Sequence, residues 1–275
     1  MKLRKFASVT AIAGSIMAVS LPANALVIQD GWQMNLPGGN VNNIGHLVVS
    51  GGQTTITQEL DAGGNIVVGS RFENFGGLFS ITMTPENCVG GCDFGAPTVL
   101  PNTLEYSFSG LSGTVTSFNP GTGAVGFVFD AGVGSAQLTA NGGGVLATFT
   151  PQSPSGGSLA NFFGAVNTSG TSNLLFSLAS VANPNLFQNL LGNNLLPGST
   201  FFAIDTTNQI FSPASAPSQC GLFDVGDLCT TLVVTQQGKI DALVQGQVPE
   251  PSILALLGLG ILGMGVTARR RVNHS

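Results

Sequence analysis

The four cysteines are the residues of this chain best placed to react in pairs. Cys88 and Cys92 flank Val89-Gly90-Gly91, and Cys220 and Cys229 bracket a second short segment. Two glycines permit the turn that brings Cys88 and Cys92 within disulfide reach, roughly 4.4–6.8 Å between Cα atoms. Four cysteines allow three pairings, and the local one, Cys88–Cys92 with Cys220–Cys229, is the expectation. Zinc is the rival use of these thiols. Neither pair has C-x-x-C spacing, and His46 is the lone histidine before His274, so no metal site is expected. Asp224 and Asp227 flank Gly226 inside the second cysteine loop. They could offer oxygens to Ca²⁺, but a solvated acidic loop is the simpler reading.

Catalytic patterns are scarce. His46 sits in Ile44-Gly45-His46-Leu47-Val48-Val49, a strand pattern that suits a structural or surface role. The sequence has no G-x-S-x-G, H-E-x-x-H, Walker loop or EF-hand pattern. Gly121-Thr122-Gly123-Ala124-Val125-Gly126 matches G-x-G-x-x-G, yet the β-like run Phe127-Val128-Phe129 follows it. A pyrophosphate needs a helix N-terminus there, so the segment reads as a turn. A glycosidase needs two acids about 5–10 Å apart across a cleft, and scattered acids cannot be paired from sequence. No catalytic residue and no cofactor are expected.

These residues must be held by β-structure. β-Branched and aromatic residues recur at period two in 54–60, 65–75, 77–84, 104–109, 113–118, 124–130, 136–140, 145–150, 174–181, 200–205 and 230–235. Gly/Asn/Pro turns separate these runs, as in an all-β protein built as an antiparallel β-sandwich, jelly-roll-like or Ig-like. Asn141-Gly142-Gly143-Gly144 reads as a hairpin, Pro151 to Ser158 as a loop or internal boundary, and Asn185 to Leu191 as a short helix.

The two ends read as addresses. Lys2, Arg4 and Lys5 precede an apolar run from Phe6 to Leu21, closed by Pro22-Ala23-Asn24-Ala25. That is the layout of a signal helix, with Ala23 and Ala25 placed for signal peptidase. Residues 1–25 are therefore read as a signal peptide and 26–247 as the extracellular β domain. At the other end Ile253 to Ala268 carries no charge, spanning roughly 24 Å as a helix at 1.5 Å per residue. It reads as a single transmembrane helix in a slightly thinned bilayer. Arg269, Arg270 and Arg271 follow and stay on the cytoplasmic side, which puts the β domain outside the inner membrane.

Pro249-Glu250-Pro251, the short Gly/Leu-rich helix and the arginine cluster stand in order over 248–275. This tail resembles the PEP-CTERM sorting signal, whose bearers are substrates of exosortases, membrane-embedded cysteine transpeptidases of exopolysaccharide-making bacteria. The resemblance implies cutting or transfer at or beside Pro249-Glu250-Pro251, which two prolines keep extended. Phe127-Val128-Phe129-Asp130, Val145 to Phe149 and Asn183 to Phe187 more loosely resemble PEP-CTERM proteins associated with flocculation.

Between the two addresses lie twelve of the thirteen acids but only Arg71 and Lys239 of the eight basic residues, a net charge of −10. Such a body cannot neutralise phosphates, so nucleic acid is excluded as a partner. The expected partners are signal peptidase, exosortase, the inner membrane before processing, and exopolysaccharide. The expected role is structural or adhesive, in an exopolysaccharide, biofilm or floc matrix. A carbohydrate-binding module is the alternative, and a secreted hydrolase a third reading.

Overall fold

The computed structural model describes residues 24–29, 31–85, 104–140, 144–163, 168–224 and 226–247. Contacts divide the chain into a body, Ile28–Val244, and a second unit of Met1–Val27 with Gln245–Ser275. The strands are β1 (Asn24–Ile28), β2 (Trp32–Leu36), β3 (Gly39–Leu60), β4 (Arg71–Pro85), β5 (Leu104–Asn119), β6 (Ala124–Phe129) and β7 (Ser135–Ala140). There follow β8 (Gly144–Leu159), β9 (Ser169–Val181), β10 (Phe187–Asn189), β11 (Thr200–Ser212), β12 (Ser218–Gln219) and β13 (Leu228–Gln247). Among the described residues there is no helix long and apolar enough to cross a membrane. The signal helix, the membrane helix, Ala23, Cys88, Cys92, Pro249, Glu250, Pro251 and Arg269 to Arg271 lie outside the described residues.

The all-β antiparallel expectation holds. Pairing runs from β3 to β4 and β5, through β6 and β7 to β8, then to β9, β11 and β13. β13 then pairs with β3, from Leu228↔Leu60 to Asp241↔His46, which closes the sheet on itself. The two faces of the sandwich therefore belong to one continuous sheet with no open edge along this path. Neighbours in space are mostly neighbours in sequence, an up-and-down order. β6 and β7 share one position: β5 pairs with β7 through Leu104–Ser109 and with β6 through Gly113–Asn119.

Alternation turns apolar residues inward. β5 shows how the phase is kept. Leu104, Tyr106 and Phe108 are buried before Gly110, and Leu111 and Val115 after it. Gly110 has φ 64°, a left-handed conformation that costs any other residue about 1–2 kcal/mol. It advances the inward phase by one residue, so two short sequence runs form one strand. The large interior cluster gathers Trp32, Phe149, Phe187 and Phe202, with Phe202 ring centroids 5.2 Å from Phe149 and Phe187. A second cluster holds Leu60, Ile66, Val115, Ile210, Leu232 and Val234. Burial pushes the Tyr106 phenol well above its usual range.

Three expectations fail locally. Residues 65–70 are loop with a turn at 68–69, not strand, and β4 begins at Arg71. Asp61 closes a turn just before this loop, its Oδ1 accepting the amide N–H of Gly63 and of Asn65, and the Ser70 N–H and hydroxyl both donate to the Val67 carbonyl to close a second. Pro151 to Ser158 is no loop but the second half of β8, paired with β6 and β9. Ser155 makes this possible: its hydroxyl donates to the Gln152 carbonyl and accepts the Leu175 N–H, filling the irregularity between Gln152 and Gly156. Asn185 to Leu191 is not helical. Phe187–Asn189 pairs with Met34–Trp32, and Asn189 Oδ1 accepts from the Leu191 and Asn193 amides in an adjoining turn. Burial of Phe187 beside Trp32 outweighs helix propensity there. The expected hairpin after β7 is carried by the Ala140↔Gly144 register.

Candidate functional site

The sequence motifs come to rest in different places. His46 lies half-buried within β3, paired to Thr84 and Asp241. The G-x-G-x-x-G segment is a turn into β6: Asn119 Oδ1 accepts from the Gly121 and Thr122 amides, and the Gly123 N–H donates to the Asn119 carbonyl. Ala25 lies in β1. Cys220 and Cys229 form the expected local disulfide, with Cα atoms 5.7 Å apart.

That disulfide loop carries the densest charge cluster among the described residues. Arg71, the first residue of β4, receives Glu59 from the end of β3. Its backbone N–H and Nε both donate to Glu59 Oε2, at 2.7 and 3.2 Å, and Nη2 donates to Oε1 at 3.2 Å. Asp224 Oδ2 accepts from the same Nη2 at 2.6 Å, and Asp227 Oδ2 lies 3.6 Å away. The guanidinium also sits 5.1 Å from the Phe223 ring centroid. Burial alone would raise the Glu59 carboxyl. The hydrogen bonds and charge of Arg71 outweigh it, so Glu59 ionises below its ordinary range. Arg71 is raised further by its hydrogen bonds to Glu59 and Asp224.

Glu59, Asp224 and Asp227 bring carboxylate oxygens within 4.8 Å of one another. They are three of the six to eight oxygens Ca²⁺ takes, and Arg71 already bridges them. A glycosidase acid needs a raised pKa, and Glu59 is shifted the other way. The arrangement is a latch that ties the 220–229 loop to the β3–β4 hairpin. Sequence reading found Asp224, Asp227 and the disulfide. It missed Glu59 and Arg71, because Arg71 and Asp224 lie 153 positions apart and no local pattern links them.

Two spaces stand out beside the latch. An interior gap of about 30 Å³ is lined by Phe72, Phe127, Gln58 and Asn208, room for a water or two. Its buried polar groups largely pair among themselves: Thr54 with Asn74, Gln58 with Ser70 at 2.9 Å, and Asn208 with Ser172 at 2.6 Å. An open groove of about 570 Å³ crosses the outer face of β5, β6, β8, β9 and β11.

The closed antiparallel sheet with an apolar interior and an outer face rich in Ser, Thr, Asn and Gln defines a β-body whose polarity is the reverse of a lipid-spanning barrel. The motif adds the class by routing. Residues 247–271 match the PEP-CTERM protein-sorting motif, so the chain is an exported protein sorted by exosortase to the cell surface or beyond. No curated protein and no solved structure matches the chain.

Proposed function

We propose that this exported protein is a structural or adhesive component of an exopolysaccharide, biofilm or floc matrix, delivered through exosortase rather than acting as an enzyme. The observation that carries the reading is the sorting motif at 247–271. Three features support it. The body between the addresses has a net charge of −10 and little positive charge. Its interior is packed with rings rather than opened into a cleft. Its best-formed charge cluster is a salt-bridged latch. Signal peptidase acts first in this scheme and exosortase second, at or beside Pro249-Glu250-Pro251.

Deleting the exosortase gene tests the routing. The precursor should then accumulate in the inner-membrane fraction with its tail intact, heavier by mass spectrometry than the wild-type product. Unchanged mass and location would reduce the tail to a plain anchor. The matrix role is tested separately, by deleting this chain: the extracted matrix should lose cohesion while growth rate is kept.

A further inference from the structure

The outer groove sits on a row of paired residues. Register places Ser117 opposite Gly126, Gly126 opposite Ser158, Ser158 opposite Thr171, and Thr171 opposite Thr207. Directly opposed residues share a face, and these four Ser/Thr side chains are exposed, so a ladder of hydroxyls crosses five strands. At about 4.8 Å per strand it runs roughly 19 Å. The Thr207 hydroxyl donates to the Gln237 carbonyl at 3.2 Å, which leaves its oxygen as an acceptor. Asn119 and Ser169 add polar groups along the adjoining row. Gly126 keeps the floor low: a Cβ there would collide with the Ser117 hydroxyl.

The lining selects its occupant by chemistry. It holds no ionisable side chain. The two basic residues of the body are already engaged: Arg71 is held by three carboxylates and Lys239 bonds Asp241 at 2.7 Å. The acidic body would repel a polyanion. Beneath the groove β6, β8, β9 and β11 are each paired on both sides, which leaves little edge for an added peptide strand. Short Ser and Thr side chains on rigid strands lose little rotamer entropy on binding and can both donate and accept. A polyhydroxyl chain offers the same two functions in return, and an open groove lets it run through.

We infer that the groove formed by Ser117, Gly126, Ser158, Thr171 and Thr207 binds a segment of uncharged polysaccharide. This names a partner for the matrix role proposed above and takes only its choice of ligand class from that reading. The test uses the full chain in non-ionic detergent, run on native gels cast with dextran, galactomannan, hydroxyethylcellulose or, as the anionic comparison, alginate. At least one neutral polymer should retard the wild type, and alginate should not. Thr171→Arg, filling the groove, should weaken retardation about tenfold or more. Ala179→Arg, exposed on the same strand away from the groove, should leave it unchanged, and circular dichroism checks that both variants fold. The inference is overturned if no neutral polymer retards the wild type, if Thr171→Arg is retarded equally, or if alginate binds as well. It is also overturned if Thr171→Arg abolishes only self-association, which would give the groove to a second copy. Because this readout keeps the tail attached, its failure leaves the exosortase result standing, and the reverse also holds.

Discussion

At the scale of single residues, Arg71 decides how the disulfide loop is held. Its contacts are part-exposed, so salt screens them and their worth is modest. The pH dependence identifies them. Glu59 ionises below its ordinary value of 4.5 when folded. A depressed carboxyl adds stability that is full above the unfolded pKa and disappears as pH falls through the folded one. Arg71→Met should therefore lower the melting temperature at pH 7, and the gap to wild type should shrink as pH drops below 4.5. A gap unchanged from pH 7 to pH 3 would rule out Glu59 as the source. Reducing the Cys220–Cys229 bond should add a pH-independent loss. For a separation of 9 residues the chain-entropy estimate is about 2.5 kcal/mol, checked by urea midpoints with and without reductant.

At the scale of elements, much of the sheet was legible and the gaps have physical causes. Strands with clean alternation, such as 124–130 and 200–205, appear where the pattern places them. The failures cluster where phase or polarity misleads. β5 looked like two strands because Gly110 shifts the inward register. The second half of β8 looked like a loop because Pro, Ser and Gly dominate it, and only tertiary pairing with β9 and the Ser155 hydroxyl bridge make it a strand. The hydroxyl ladder was invisible for a similar reason: Ser117, Ser158, Thr171 and Thr207 become neighbours only through register. Gly110→Ala finds ordinary space, its nearest neighbour being the Gly134 Cα at 3.7 Å, so its cost should be conformational alone. About 1–2 kcal/mol is expected by urea unfolding, with Gly110→Asn recovering part of it. An unperturbed midpoint in Gly110→Ala would mean that the left-handed kink does not set the register.

At the scale of the whole body, closure should make distant ends stand or fall together. The interior holds two apolar clusters, one around Trp32, Phe187 and Phe202 and one around Leu232, Val234 and Ile210. An open sheet could let one cluster melt while the other survives. Here β13 runs through both regions and pairs on both sides, with β11 and with β3, so loosening one end exposes backbone groups along the other. Trp32 is the single tryptophan and lies in the first cluster, fully buried. Its fluorescence therefore reports on one end alone. Leu232→Ala empties part of the second cluster and should cost about 2–5 kcal/mol. If the ring is one cooperative unit, Trp32 fluorescence and far-UV circular dichroism should record that same loss, with coincident urea transitions. A Trp32 midpoint that stays at the wild-type value while the circular dichroism midpoint falls would separate the two clusters and show that the β13–β3 seam does not couple them.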